Sequence, residues 1–281
     1  MKQRDGRLAG ARGLSIYYQF WEPESQPRAV ILVVHGAGEH SARYAPFAEY
    51  FTGHGYVVAA LDHPNHGQSE GRYGHVERFE DFVQTLEIFH RQVTSEFSGL
   101  PLFLLGHSMG GLISSLYLLE HQDEFVGCVL SGPAIKTDIE PPWIQLQLIR
   151  LLSALAPRLG VLQLDANGVS RDPAEVDKYV NDPLVNHDKM TARKVSELFK
   201  GMNRIQAEAG GIGLPLLLLH GGDDAMTAPE GSRFLYDHVG SQDKTLKIYP
   251  GLYHEIFNEP ERGEIFAEVL AWCDQHLVGD R

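Results

Sequence analysis

One stretch constrains this chain more than any other: Pro101 to Leu116, reading PLFLLGHSMGGLISSL. It begins as a short, bounded apolar run, which suits a buried strand. From Leu112 the apolar residues recur at helical spacing, at Leu112, Leu116 and Leu119. The chain must therefore pass from strand to helix within a few residues. So sharp a turn forces its middle residue into strained backbone angles. Gly106 and Gly110 flank that residue and carry no Cβ to clash. The pattern is G-x-S-x-G with Ser108 at the apex, its hydroxyl turned away from the sheet. The helix N-terminus behind it favours negative charge.

The rest of the chain can support such a turn. Its 281 residues are 43% hydrophobic and 22% charged, enough for a substantial core. A formal net charge of -13 leaves no electrostatic footprint for nucleic acid. Affinity for an anionic membrane would have to be hydrophobic and local. Cys128 and Cys273 lie far apart, so neither a disulfide framework nor a C-x-x-C motif arises. Cys128, within FVGCVL, reads as a small core residue. The N-terminal MKQRDGRLAGARG lacks a signal-peptide apolar segment, and no run reaches transmembrane length. A cytoplasmic protein is expected.

Apolar runs alternate with helical patterns. LSIYYQFW (14–21), AVILVV (29–34), YVVAALD (56–62), FVGCVLSGP (125–133), LPLLLLHGG (214–222) and TLKIYP (245–250) read as strands. Helices are expected at 44–53, 79–97, 229–239 and 261–277. The first long one places Phe82, Leu86, Phe89 and Val93 on one face. This order predicts an α/β fold, a mostly parallel sheet covered on both faces.

The alternation stops between residues 133 and 209, where no buried strand is evident. The predicted division is a core of residues 1–132 and 210–281 with a helical insertion at 133–209. Pro141-Pro142 opens a helix in which Ile144, Leu148, Leu151, Leu152 and Leu155 share one arc. Trp143 and Leu146 fall outside it, so the helix is apolar beyond a single stripe. Burial on two sides would explain that, and so would a lid with one face toward lipid. Such an insertion would sit over the C-terminal edge of the sheet, where ligands bind in open α/β folds.

A serine hydroxyl needs a histidine to take its proton and a carboxylate to orient that histidine. With this elbow the expected chain order is serine, acid, histidine. After Ser108, LPLLLLHGGDD offers Asp223 or Asp224 at a strand end, and YPGLYHE offers His254. His220 reads as structural. His63 and His66 in DHPNHGQS lack metallohydrolase spacing, so that segment reads as a tight loop held by side-chain hydrogen bonds, without metal. Oxyanion donors are expected from the backbone amide of Met109 and from Ala37, between Gly36 and Gly38 in VVHGAGEH.

HGAGEHSARY, LDHPNHGQSEG, GHSMGG, SRDPAEVDKYVNDPL, SQDKTLKIY and YPGLYHE together resemble the monoacylglycerol lipase family of α/β-hydrolases. The likeness covers nearly the whole chain, including the insertion. It implies a triad of Ser108, Asp224 and His254, the second aspartate of GGDD falling where the family's acid falls. It implies Ala37 and Met109 as oxyanion donors, with Glu39, Arg43 and Tyr179 lining the polar end that receives glycerol. It also implies a mobile amphipathic lid over a lipid tunnel; in the lid reading of the helix, Trp143 and Leu146, off its main arc, face lipid, with transient membrane-surface contact through the cap. No cofactor is expected, and the implied substrate is monoacylglycerol or a related lipid ester. A lysophospholipase or short-chain esterase would use the same machinery, and a ligand-binding protein could keep the scaffold.

Overall fold

The computed structural model describes residues 1–137 and 143–278. The chain runs β1 (Lys2–Ala9), β2 (Ser15–Glu22), β3 (Ala29–Val34), α1 (Ala45–Gly53), β4 (Tyr56–Leu61), α2 (Glu80–Glu96), β5 (Leu102–His107) and α3 (Met109–His121). Next come β6 (Gly127–Ser131), α4 (Trp143–Leu155), β7 (Gly160–Leu162), α5 (Pro173–Asn181), β8 (Met190–Thr191) and α6 (Ala192–Glu208). It ends with β9 (Leu216–Gly221), α7 (Pro229–His238), β10 (Lys244–Tyr249) and α8 (Arg262–Val278).

The main sheet has eight strands in the order β1-β2-β4-β3-β5-β6-β9-β10. From β4 to β10 every pairing is parallel, while β1 and β2 add an antiparallel edge. The strands AVILVV, YVVAAL and LFLLGH are buried throughout, as expected of strands covered on both faces. One apolar layer joins α2, α3 and α6 to the sheet; the other joins α1 and α8. This is the α/β-hydrolase architecture. β1 escapes a sequence reading because KQRDGRLA is polar and mostly exposed, an edge strand defined by its partner.

The segment between β6 and β9 returns the chain to adjacent strands, so it lies outside the sheet. It holds α4, α5, α6 and a small antiparallel ribbon of β7 with β8. Pro141-Pro142 lies outside the described residues. In α4 the main apolar arc is not the packing face. Ile144, Leu148, Leu151 and Leu155 are exposed, the last by 77%, as is Trp143 at 72%. Leu146, Ile149 and Ser153 turn inward instead, and Arg193 of α6 donates to the Ser153 carbonyl at 3.0 Å. Contact with α6 therefore selects the narrower inner line and leaves the wider arc outside.

Candidate active site

Ser108 occupies the turn between β5 and α3 with φ 54° and ψ -120°, one of few non-glycine residues at positive φ. The strain is held by tight packing. A Cβ on Gly110 would fall 2.0 Å from the Val34 carbonyl oxygen, and one on Gly106 2.5 Å from Ser114 Oγ. The flanking glycines are thus required by contact as well as by conformation. The Ser108 amide donates to the Ser131 carbonyl at 3.0 Å, tying the elbow to β6.

Asp224 follows β9 and His254 follows β10, and the parallel β9–β10 pairing brings those two loops together. Asp224 Oδ2 accepts from His254 Nδ1–H at 2.6 Å. Its other oxygen, Oδ1, accepts from the amides of Met226 and Thr227, which form the turn. Asp224 is buried and Asp223 is exposed. Of the two aspartates, Asp224 is the one in contact with His254. Burial alone would push the Asp224 pKa up; the His254 charge and hydrogen bonds from His220, His254 and Thr227 hold it well below its usual range. Burial also opposes charge on His254, but Asp224 beside it raises that pKa above the usual imidazole value.

Ser108 and His254 face one cavity, together with Ala37, Met109, Glu39 and Tyr179. The amides of Ala37 and Met109 have no protein acceptor among the described residues, so both are available to a ligand oxygen. Away from Ser108 the walls are apolar: Leu162, Leu164, Val169, Val195, Leu198 and Met202. Leu146 does not reach this cavity. It borders a neighbouring recess that shares Phe199 and Met202 with it, and Trp143 points to solvent.

Glu39 and Arg43 are largely committed to each other and to neighbours. Glu39 accepts from the Gly36 amide at 2.7 Å, the Tyr44 hydroxyl at 3.0 Å and Arg43 at 3.1 Å. Arg43 also donates both Nη groups to Glu255 at 2.7 Å and stacks over Tyr179, 4.7 Å from the ring centre. Burial would raise the Glu39 pKa, but Arg43, then His107 and His35, keep it well below the usual range. The cluster clamps the loop carrying Ala37 to the loop carrying His254. The Tyr179 hydroxyl, by contrast, borders the cavity with no protein partner among the described residues.

Four further residues shape the site without an obvious sequence signal. Glu255 adjoins His254 in sequence and completes the clamp. Thr227 Oγ1 donates toward Asp224 Oδ2 at 2.9 Å; the D-x-x-T spacing of a side-chain-capped turn was the available hint. His107 lies 4.7 Å from the His254 ring centre, and burial, then the His254 charge, lowers its pKa to about 4. His220 reaches Asp224, a contact that only folding creates. The DHPNHGQS segment is a tight loop: Asp62 accepts from Ser41 and from the Gln68 amide. His63 exchanges hydrogen bonds with His35 and not with an ion-binding cluster.

The family model described as "Serine aminopeptidase, S33" matches residues 25–261. A monoacylglycerol lipase of Mycolicibacterium smegmatis is 39% identical, with 96% of each chain covered. The monoglyceride lipase of Homo sapiens is 36% identical over 96% of this chain and 90% of its own. The crystal structure of the Paleococcus ferrophilus monoacylglycerol lipase superposes with a TM-score of 0.81 at 34% identity, covering 98% of this chain and all of the other. With its strained serine elbow, Asp224–His254 pair and capped apolar cavity, the chain belongs to the monoacylglycerol lipase family of α/β-hydrolases.

Proposed function

We propose that this protein hydrolyses monoacylglycerol to fatty acid and glycerol, with Ser108 as nucleophile, His254 as base and Asp224 as its orienting acid. The observation that carries the assignment is Ser108, His254 and two unpartnered amides facing one apolar cavity. The acyl chain lies along Leu162, Val195 and Leu198, and the ester carbonyl sits beside Ser108. His254 accepts the Ser108 proton as oxygen attacks carbon, while the Ala37 and Met109 amides hold the oxyanion. The protonated His254 then donates to the departing glycerol oxygen. Water, deprotonated by His254, attacks the acyl-enzyme and releases fatty acid.

The Tyr179 hydroxyl is the group free to meet a glycerol hydroxyl. Glu39 and Arg43 act on that end through the shape of their clamp. Residues 133–209 serve as the cap and 1–132 with 210–281 as the catalytic core, α6 being shared through its packing on α3. The exposed row of Trp143, Ile144, Leu148, Leu151 and Leu155 supports peripheral lipid contact from the cytoplasm. No helix among the described residues is long and apolar enough to cross a membrane.

The test is a hydrolysis panel of mono-, di- and triacylglycerols, a lysophospholipid and short-chain esters. Fastest turnover on monoacylglycerol is expected. Preference for the lysophospholipid would reassign the substrate and leave the machinery intact.

A further inference from the structure

Asp224 serves a second imidazole besides that of His254. His220 ends near the C-terminus of β9, fully buried, with Nε2 at 3.1 Å from Asp224 Oδ2. The same Nε2 lies 3.1 Å from the Thr227 carbonyl oxygen. A carbonyl only accepts, so Nε2 carries a hydrogen; it lines up on the Thr227 carbonyl, and Asp224 Oδ2 lies against the same N–H at 3.1 Å. Nδ1 of the neutral ring then accepts from the Ser232 hydroxyl, 2.7 Å away on α7. The Thr227 carbonyl thus fixes the tautomer that faces the acid, and the Ser232 hydroxyl supports it from the other ring nitrogen. The oxygen concerned, Oδ2, is the one His254 uses.

We propose that His220 is a positioning residue of the hydrolysis: its Nε2–H restrains Asp224 Oδ2 and moderates how strongly that oxygen attracts the His254 ring proton. The inference rests on the Ser108–Asp224–His254 assignment. It follows from competition for one oxygen. Each donor to Oδ2 withdraws electron density that would otherwise favour the charged form of His254. Removing the His220 donor leaves Oδ2 more basic toward His254 and less firmly held. His220 does not border the substrate cavity, so substrate affinity has no reason to change.

The experiment compares His220→Asn, His220→Gln and Ser232→Ala in the full chain. Asn reaches the Ser232 position but not Asp224; Gln extends an amide N–H to where Nε2 stands; Ser232→Ala removes the ring's anchor at Nδ1 with little change of volume. Two quantities are read: the pH dependence of kcat/KM on a soluble activated ester, and the low-field proton resonance of the His254–Asp224 hydrogen bond. The Asn variant should move the ascending limb upward by about half a pH unit, the scale of one hydrogen bond. Its kcat should fall roughly tenfold with KM unchanged. Ser232→Ala should move the limb less but in the same direction, and Gln should stay near the parent. An unmoved limb and resonance in the Asn variant overturn the proposal, as does a Gln variant displaced as far as Asn. Should the Asn variant fail to fold, Ser232→Ala decides alone, an unmoved limb there counting against it. Labelling of Ser108 by a fluorophosphonate tests the triad separately: lost labelling in the parent sinks the triad, whereas intact labelling with an unmoved limb sinks only the His220 role.

Discussion

At the residue scale, the geometry ranks the side chains. Ser108→Ala should fold and lose activity by about a million-fold, the scale of nucleophile knockouts in serine hydrolases; turnover near the parent's would remove Ser108 as nucleophile. Asp224→Asn should cost far more than Asp223→Asn, because only Asp224 contacts His254; equal kcat values in the two variants would contradict that contact's importance. His254 must be neutral to act as base. Its raised pKa therefore places the ascending limb of kcat/KM above the ordinary imidazole value of about 6.5, with activity falling as pH drops through it. Glu39 already has three donors, so Glu39→Ala leaves the Gly36 amide and the Tyr44 hydroxyl unpaired, at about 1–3 kcal/mol for each buried group. Lower melting temperature and slower turnover on every ester are expected, in place of a changed preference for glycerol.

Lys194 is the costly residue. It is buried, its ammonium has no carboxylate in ion-pair range among the described residues, and its side-chain partner is His66 Nε2 at 3.2 Å. Burial lowers its pKa to about 7, against about 10.4 for an unfolded lysine. The unfolded chain binds more protons between those values, so stability rises with pH through that window. The penalty is complete below about pH 7 and fades toward about 10.4. Lys194→Met should therefore be more stable than the parent near neutral pH by about 1–4 kcal/mol, with the gap closing at alkaline pH. Urea midpoints measured across pH check this, and a constant gap would mean the amine is not the cause.

At the element scale, the elbow and α4 illustrate opposite constraints. Gly110→Ala drives a methyl into the Val34 carbonyl, so a destabilised, inactive enzyme is expected. On α4 the outward arc is free of such contacts. Leu148→Gln with Leu151→Gln should leave the melting temperature unchanged and reduce activity on micellar or vesicular lipid more than on a soluble ester. Apolar area withdrawn from lipid costs about 25 cal/mol per Å². Equal loss on both substrates would place the arc's role elsewhere. Leu146→Gln, facing inward beside Phe199 and Met202, should instead impair both.

At the scale of the whole molecule, the cap is stitched to the loops that do the chemistry. The Asn186 amide donates to Gly38 O at 2.7 Å, the Glu255 amide to Val169 O at 2.8 Å, and His40 pairs with Asp182 at 2.9 Å. A cavity roofed this closely suits one acyl chain. Monoacylglycerol should therefore be cleaved much faster than triacylglycerol, and comparable turnover on both would defeat that picture.

The elbow, the parallel core strands and the placing of Ser108, an aspartate and His254 after successive strand ends were legible in the chain alone. Each depends on local chemistry: a turn that tolerates only glycine neighbours, apolar runs that must be covered twice, donors and acceptors at strand ends. Which face of α4 turns outward was not legible, because Leu148 and Leu146 are equally apolar and only contact with α6 distinguishes them. Nor was the pairing of Glu39 with Arg43 and Glu255, or of His220 with Asp224, whose partners come from different strands and loops. Side-chain type is a property of sequence; which oxygen a side chain meets, and whether water can reach it, is decided only when the sheet brings distant strand ends together.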